Sequence, residues 1–200
     1  HCRNVKVDLG VLQLDGDHRV TGYIEKPTYD LNVSMGVYVF EPAALDYIPS
    51  DQYFDFPSLI LSLIENNQKV VGYSFDGYWQ DIGTIRSFYD TNLQMAKSDS
   101  PFNFYDPKQP IYTNSRVLPG SIVEDSRLKD VLLSEGCRIQ KAEITHSVVG
   151  VRSQIRAGTR IKNCILMGSD YYDQPGKSND IPLGVGPKCD IEGAILDKNV

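Results

Sequence analysis

The second half of this sequence repeats with a period of sixteen or seventeen residues, and this repeat constrains the fold more than any other feature. The segment Arg127–Leu132 aligns with Glu143–Val148 and then with Arg160–Ile165, and Asp190–Ile195 is a fourth copy after an insertion. Single aliphatic residues recur every five or six positions, which is typical of a parallel β-helix whose coils stack these side chains inward. They are Ile122, Leu128, Leu133, Ile139, Ile144, Ile155 and Ile161.

These spacings predict a hexapeptide-type parallel β-helix over residues 119–200. A β-sandwich would need strict alternation of apolar and polar residues instead. The insertion before the fourth copy, Ser169–Asp180, is predicted to be a loop that protrudes from one coil.

The first half of the sequence alternates strand-like and helical runs, which predicts α/β structure. The strand-like runs are Val5–Leu14, Arg19–Glu25, Met35–Phe40 and Val70–Phe75, and the helical runs are Pro57–Ile64 and Ile85–Ala96. Asp55 and Thr84 are the predicted caps of the two helices. The second helix has an apolar face that we expect to be buried, formed by Ile85, Phe88, Tyr89 and Leu93.

A proline-rich stretch after Lys97 breaks both periodicities and predicts a linker. The resulting organisation is a partial α/β domain over residues 1–97, a linker over 98–118 and the β-helix over 119–200.

Composition excludes several classes of function. The formal net charge of −6 argues against nonspecific nucleic-acid binding, which relies on lysine and arginine. No apolar run is long enough to span a bilayer, and the four cysteines lack metal-binding or disulfide-scaffold spacing.

Between Arg116 and Lys162 there are nine Lys or Arg residues and five Asp or Glu residues, which indicates either a local anion site or alternating solvated charges.

The segment Tyr78-Trp79-Gln80-Asp81-Ile82-Gly83-Thr84 predicts a site for a divalent metal. The run Val70–Phe75 reads as a strand before it and a helix follows Thr84, so Asp81 is expected at a strand-to-helix crossover. Ligands bind at this edge of a parallel sheet, and Mg²⁺ prefers oxygen ligands and substrate phosphates. The alternative is a surface aspartate near a helix start.

A second group of candidate residues lies in Gly22-Tyr23-Ile24-Glu25-Lys26-Pro27 and in Ser34-Met35-Gly36. Pro27 is expected to hold Lys26 in an extended conformation, so that its ammonium group lies at a fixed distance from a phosphate. The Glu25 carboxylate is suited to accept hydrogen bonds from sugar hydroxyls.

The order of these motifs resembles the sugar-1-phosphate nucleotidylyltransferases, which join a nucleoside triphosphate to a sugar phosphate and release pyrophosphate. Asp8-Leu9-Gly10 is similar to the family's D-(F/Y)-G strand, and Asp15-Gly16-Asp17 looks like a hairpin turn. Further segments resemble the plant and cyanobacterial ADP-glucose pyrophosphorylases, namely residues 78–84, 103–106, 145–153 and 167–172.

The resemblance implies the C-terminal part of a Rossmann-like α/β nucleotidylyltransferase domain followed by a left-handed parallel β-helix. It implies synthesis of ADP-glucose from ATP and glucose 1-phosphate in glycogen or starch biosynthesis, with Mg²⁺ as cofactor. Lys26 would hold the sugar phosphate, Glu25 and Ser34 its hydroxyls, and Asp81 the metal, while Gly10 would allow close approach. The family also implies a homo- or hetero-tetramer in a plastid or bacterial cytoplasm, without nucleic-acid or membrane partners.

An anionic metabolite is the implied effector of such an enzyme. The resemblance places Lys198 at the effector site, and the basic stretch adds Arg116 and Arg152 as weaker candidates.

One motif of the family is not found. No glycine-rich loop with an Arg and a Lys occurs to hold a triphosphate, so we expect the N-terminal nucleotide-binding half to be absent and the isolated chain to be inactive.

Three other functions stay open. They are a regulatory subunit without catalytic activity, a pyrophosphorylase for another sugar nucleotide, and an acyltransferase built on the β-helix. The acyltransferase would need His146 as its general base, and a structural or surface histidine is the favoured interpretation.

Overall fold

The computed structural model describes residues 2–51, 53–173 and 181–200. These residues form two compact units, one up to Trp79 and one from Gln80 onward. The predicted domain limits at residues 97 and 119 stay a prediction. Most of the predicted loop Ser169–Asp180 lies outside the described residues. Among the residues described, no helix is long and apolar enough to cross a membrane.

The first unit consists of four short strands and two helical segments. The strands are β1 (Cys2–Lys6), β2 (Val11–Leu14), β3 (Val20–Ile24) and β4 (Thr28–Leu31), followed by a 3₁₀ helix (Pro42–Tyr47) and α1 (Phe56–Glu65). Strands β1 and β4 pair antiparallel, as do β2 and β3. The sequence did not predict β4, whose pairing with β1 places Lys6 opposite Thr28.

The turn between β2 and β3 and the start of α1 form as the sequence predicts. Asp15 begins the hairpin turn, and its carboxylate accepts hydrogen bonds from the backbone N–H groups of Asp17 and Arg19. Asp55 caps α1 by accepting a hydrogen bond of 2.9 Å from the Ser58 N–H. The helix buries Leu59 and Leu63, which lie four residues apart on one face.

Two predicted strands, Met35–Phe40 and Val70–Phe75, are not formed. A strand is defined by its pairing with a neighbour, and in the described residues neither run has one. Val39 is 97% exposed and Tyr73 is 90% exposed, so each run has an apolar or aromatic side chain that faces solvent. The aromatic rings of Tyr38, Phe40 and Phe56 nevertheless pack together, with centroids 5.3–5.9 Å apart.

The second unit contains α2 (Ile85–Met95) and a parallel β-helix, as predicted. The β-helix strands are β5 (Ile122–Glu124), β6 (Arg127–Leu133), β7 (Arg138–Gln140), β8 (Glu143–Val149), β9 (Gln154–Ile155), β10 (Arg160–Lys162), β11 (Ile165–Leu166), β12 (Asp190–Glu192) and β13 (Ile195–Leu196). All their pairings are parallel. The register of the paired strands agrees with the alignment of the sequence repeats. Equivalent positions of neighbouring coils are occupied by Leu128, Ile144, Ile161 and Ile191.

The coils bend where the backbone adopts a left-handed conformation, with positive φ, at every fifth or sixth residue. These corner residues are Asp125, Asp130, Gly136, Lys141, His146, Arg152, Gly158, Asn163 and Gly168, and later Lys188, Gly193 and Asn199. Neighbouring coils place equivalent corners above one another, so the register aligns Asp130, His146, Asn163 and Gly193. Asp, Asn and Gly adopt this conformation most readily, which explains their frequency at the corners.

The interior of the β-helix is a stack of aliphatic side chains. Ile139, Ile144, Ile155 and Ile161 are at most 1% exposed. Full burial of such a side chain contributes roughly 1.5–3 kcal/mol. Ile122, which was predicted to point inward, is instead 56% exposed because it lies in the first coil, where no described coil covers it.

Ion pairs also connect neighbouring coils. Arg160 contacts Asp190 at 2.6 Å and Lys162 contacts Glu192 at 2.7 Å on the outer surface. Because exposed pairs contribute only about 0–1 kcal/mol each, the apolar stack is the main source of stability.

Helix α2 packs against β8 and β11 of the β-helix. Thr84 caps it as predicted, because its side-chain oxygen accepts a hydrogen bond from the Ser87 N–H at 3.0 Å. Leu93 and Ala96 are buried, and Phe88 and Tyr89 are partly buried. Ile85 was predicted on the same face but is 81% exposed, since the first turn of the helix extends beyond the packed surface.

Candidate functional site

Gly10, Tyr23 and Glu25 form a cluster beside the β2–β3 hairpin in the first unit. A Cβ atom on Gly10 would lie 2.7 Å from Cζ of Tyr23, so the absence of a side chain at Gly10 leaves room for the ring in this position. The Tyr23 hydroxyl donates a short hydrogen bond to the Glu25 carboxylate. This hydrogen bond, and to a lesser extent burial, raises the pKa of the Tyr23 phenol above its ordinary value. The cluster therefore fixes the orientation of a carboxylate at the end of β3.

Lys26 adopts a left-handed conformation, with φ of 44°, and the predicted extended conformation is wrong. The antiparallel pairing is interrupted between β3 and β4, where the Pro27 carbonyl accepts a hydrogen bond of 2.9 Å from the Val7 N–H. Pro27 itself is buried. A non-glycine residue in this conformation costs on the order of 1–3 kcal/mol, and such strain is concentrated at functional sites.

Ser34 lies in the loop after β4, where its hydroxyl is exposed. Its oxygen is 3.1 Å from the Tyr38 hydroxyl oxygen and accepts a hydrogen bond of 3.2 Å from the Gly36 N–H. Both contacts are local, so they order the loop between Ser34 and Tyr38. The hydroxyl stays accessible to a ligand.

Asp81 belongs to the second unit and lies in an irregular loop directly before α2. The predicted strand before Asp81 is not formed, whereas the predicted helix after it is. One carboxylate oxygen, Oδ1, accepts a hydrogen bond of 2.9 Å from the Gly83 N–H. This bond directs the exposed carboxylate by joining it to the turn that leads into the helix.

The chemistry of Asp81 fits a Mg²⁺ ion in part. Mg²⁺ commonly takes one or two protein carboxylates and completes its shell with water and substrate phosphates. Asp81 can supply one such oxygen. Within the described ranges, no group of three or more His, Cys, Asp or Glu side chains converges to hold a metal.

Lys198 and Arg152, two of the candidate effector residues, lie on the β-helix near Asp170. The Lys198 ammonium contacts the Asp170 carboxylate at 2.7 Å, and the Asn199 side chain donates to the other oxygen at 3.2 Å. The hydrogen bonds from Lys198 and Asn199 hold the pKa of Asp170 below its ordinary value, and the charge of Arg152 adds to this effect.

The two arginines predicted with Lys198 have different environments. Arg152 donates to the Ser169 carbonyl at 3.2 Å and lies over the ring of Tyr172, 5.8 Å from its centroid. Arg116 is exposed in the irregular segment before β5. The structure therefore brings Lys198 and Arg152 around one carboxylate and gives Arg116 no such setting.

His146 has both ring nitrogens occupied by protein oxygens. Nδ1 is 2.8 Å from Oδ1 of Asn163, and Nε2 is 3.0 Å from the Leu93 carbonyl oxygen. A general base needs a free nitrogen within reach of the substrate proton. The arrangement favours the structural interpretation of His146 and gives no support to the acyltransferase.

The partners that orient the candidate residues were not predicted from the sequence. Tyr23 lies two positions before Glu25, so the two side chains of an extended segment point to the same side, and this spacing was a usable signal. Asp170 is separated from Lys198 by 28 residues, and the sequence contains no local signal for that pair.

Two family models match the sequence. One, described as "Nucleotidyl transferase", matches residues 4–98. The other, described as "GLGC left-handed parallel beta-helix domain", matches residues 116–200. The first match contains Gly10, Glu25, Lys26, Ser34 and Asp81, and the second contains the complete β-helix.

Glu25→Gln should lower the pKa of the Tyr23 phenol toward its ordinary value. The hydrogen bond to the ionised carboxylate stabilises the protonated phenol, so the wild-type bond should persist at neutral pH and be lost only above the ordinary tyrosine pKa. The measurement is a pH titration of the Tyr23 Cζ resonance by ¹³C NMR, with Glu41→Gln as the control. An equal Tyr23 pKa in wild type and Glu25→Gln would show that the contact does not orient the carboxylate.

Proposed function

Because its two family matches show that the chain belongs to the ADP-glucose-pyrophosphorylase-like sugar-1-phosphate nucleotidyltransferases, we propose that it takes part in the synthesis of ADP-glucose. The reaction joins ATP and glucose 1-phosphate and releases pyrophosphate, as in glycogen or starch biosynthesis. The observation that carries this proposal is the strained backbone of Lys26 beside the oriented Glu25 carboxylate.

Lys26 binds the phosphate of glucose 1-phosphate. Its left-handed conformation is followed by a buried proline, so the lysine starts from a fixed backbone position. A charge-assisted hydrogen bond between an ammonium group and a phosphate is about twice as strong as a neutral one. Holding the nucleophile in place removes much of the entropic cost of a reaction between two substrates.

Glu25 and Ser34 bind hydroxyl groups of the sugar. The Glu25 carboxylate keeps acceptor positions beyond the one used by Tyr23. Ser34 can both donate and accept. Gly10 allows Tyr23 to reach Glu25, so its effect on the sugar is through this carboxylate and through the close approach that a missing side chain permits.

Asp81 supplies one oxygen ligand to Mg²⁺. When bound, the ion offsets negative charge on the phosphates during transfer. The hydrogen bond between Asp81 and the Gly83 N–H directs the carboxylate, so Asp81 acts as a ligand of fixed orientation.

Lys26→Ala and Asp81→Asn should have different kinetic effects in the complete enzyme, meaning an active enzyme that contains this chain. Lys26→Ala removes a ground-state contact that persists in the transition state, so the KM for glucose 1-phosphate should rise about 10- to 100-fold, as for the loss of one charged hydrogen bond. Asp81→Asn should mainly lower kcat and raise the Mg²⁺ concentration needed for half-maximal rate.

Steady-state pyrophosphate release provides these constants, and calorimetric titration of the chain with glucose 1-phosphate tests Lys26 independently of catalysis. Lys69→Ala is the matched control for loss of an exposed lysine of the first unit. The same kinetic change in both variants would refute the separate roles. Unchanged kinetics and sugar-phosphate binding in Lys26→Ala would favour a regulatory subunit or another sugar nucleotide.

An anionic metabolite binds near Lys198 and regulates this activity. Support comes from the closeness of Lys198 and Arg152 to one carboxylate, Asp170, which an anion would have to replace as the partner of Lys198. Arg116 contributes from the irregular segment before β5. An effector bound at this site changes the rate only through the coupling free energy between the effector site and the active site, typically about 1–3 kcal/mol.

Lys198→Glu should weaken activation far more than basal turnover, and Asp170→Asn should strengthen it. The second change removes the competing carboxylate and leaves Lys198 free for the effector. Activation by 3-phosphoglycerate is measured against concentration in both variants, with Lys129→Glu as the control on the same β-helix. Equal half-saturation in wild type and Lys198→Glu would remove this lysine from the effector site.

The β-helix mediates assembly into a homo- or hetero-tetramer in a plastid or bacterial cytoplasm. Support for assembly comes from the first coil, where Ile122 and Val123 on β5 are 56% and 41% exposed. An edge strand with apolar side chains is suited to contact with another surface.

A further inference from the structure

The C-terminal end of α2 is held by a side chain from the β-helix. The last carbonyl groups of a helix lack intrahelical partners and are satisfied by other donors. The Leu93 carbonyl belongs to this set, and Nε2 of His146 lies 3.0 Å from its oxygen. The Ala96 N–H reaches the same oxygen at 3.2 Å. His146 therefore acts as a cap for α2 that comes from a residue 53 positions away.

The partners of His146 determine which of its nitrogens carries a proton. A carbonyl oxygen can only accept, so the contact with Leu93 requires a proton on Nε2. At Nδ1 the partner is the side chain of Asn163, whose amide can present either its oxygen or its NH₂ group. Asn163 can thus bind both the neutral and the charged imidazole, and the cap does not depend on the charge of His146.

Asn163 forms a second link to the same helix. Its carbonyl accepts a hydrogen bond of 2.6 Å from the Tyr89 hydroxyl. Burial raises the pKa of the Tyr89 phenol above its ordinary value, so this hydroxyl keeps its proton and remains a donor. His146 and Asn163 occupy equivalent corners of adjacent coils, and both have positive φ. Two stacked corners therefore hold one side of α2 at two points.

The other end of α2 begins directly after the Asp81 loop. Thr84 caps the first turn through the Ser87 N–H, and the Gly83 N–H holds the Asp81 carboxylate at 2.9 Å. A helix of eleven residues is rigid over its length of about 16 Å. A shift of its fixed end would be transmitted to the loop that it supports.

We propose that His146 and Asn163 are positioning residues, which hold α2 on the β-helix and thereby set the position of the Asp81 carboxylate for Mg²⁺. This inference rests on the proposed role of Asp81 and extends the site to residues more than 60 positions away in sequence. It gives the β-helix an indirect part in the reaction, through α2 and the Asp81 loop, in addition to its part in assembly.

Two substitutions of His146 separate its contacts. His146→Asn suits the left-handed corner, since asparagine adopts positive φ readily and already occupies the equivalent corner at Asn163. Its shorter side chain can contact Asn163 but cannot reach Leu93. His146→Gln places an amide NH₂ group near the position of Nε2 and should keep the bond to Leu93. Tyr89→Phe removes the second link alone.

The matched control is Asp130→Asn. Asp130 occupies the same corner one coil away, has a φ of 54° and is exposed. This change places asparagine at a corner without altering the support of α2, so it separates corner effects from loss of the cap.

Hydrogen–deuterium exchange of the full chain tests the support, and Mg²⁺ dependence in the complete enzyme tests its consequence. In His146→Asn, amides of α2 should exchange on the order of five- to tenfold faster, as expected for the loss of one net hydrogen bond. The Mg²⁺ half-saturation concentration should rise severalfold, with little change in the KM for glucose 1-phosphate. His146→Gln should leave α2 exchange and the Mg²⁺ half-saturation concentration close to their wild-type values, and Asp130→Asn should change neither.

Three results would overturn the proposal in distinguishable ways. Unchanged exchange of α2 in both His146→Asn and Tyr89→Phe would show that these contacts do not hold the helix. Faster exchange with unchanged Mg²⁺ dependence, while Asp81→Asn still alters it, would refute positioning and leave the role of Asp81 intact. If Asp81→Asn had no effect on Mg²⁺ dependence, the role proposed for Asp81 would fail, and this inference would fail with it.

Discussion

Left-handed backbone at every fifth or sixth residue is the constraint on which the second unit depends. Each such corner bends the chain, and neighbouring coils must then stack in register for their strands to pair in parallel. For residues other than glycine this conformation costs roughly 1–2 kcal/mol each. The cost is offset by burial of the aliphatic stack, in which Ile144 and Ile161 are almost fully enclosed. The same corners also present side chains outward at fixed positions.

The corner at His146 also supports α2, in addition to its place in the β-helix. At the corner of His146 the register would be satisfied by Asp, Asn or Gly, which occupy the equivalent corners at Asp130, Asn163 and Gly193. Histidine adds the reach to Leu93 that these shorter residues lack. The strained backbone of Lys26 has a different setting, since it lies in the short break between β3 and β4, before a buried proline, and is not part of a repeat. Strain in the β-helix thus serves the fold, whereas strain at Lys26 marks a candidate ligand site.

The sequence predicted the parts of this structure that are encoded locally. The β-helix followed from a repeat, the caps at Asp55 and Thr84 from residues three positions before the N–H groups that they bind, and the hairpin from Asp15-Gly16-Asp17. The prediction of strands at Met35–Phe40 and Val70–Phe75 was wrong because strand pairing depends on neighbours that local composition does not reveal. The conformation predicted for Lys26 was wrong because the rule for a residue before proline considers only local sterics, whereas Lys26 lies in the break between the β2–β3 and β1–β4 pairings.

The candidate functional residues of the two units were predictable from the sequence, whereas the contacts of each were not. Glu25, Lys26 and Asp81 were found by motif, but the orientation of Glu25 by Tyr23 and the link from the Asp81 loop to His146 depend on tertiary structure. The most direct measurement of that link is the protonation of the His146 ring by ¹⁵N NMR at neutral pH, in a chain with only three histidines. We expect a proton on Nε2 that exchanges slowly with solvent, because it is donated to the Leu93 carbonyl. An imidazole protonated on Nδ1 alone would contradict it, since the Leu93 carbonyl has no proton to donate.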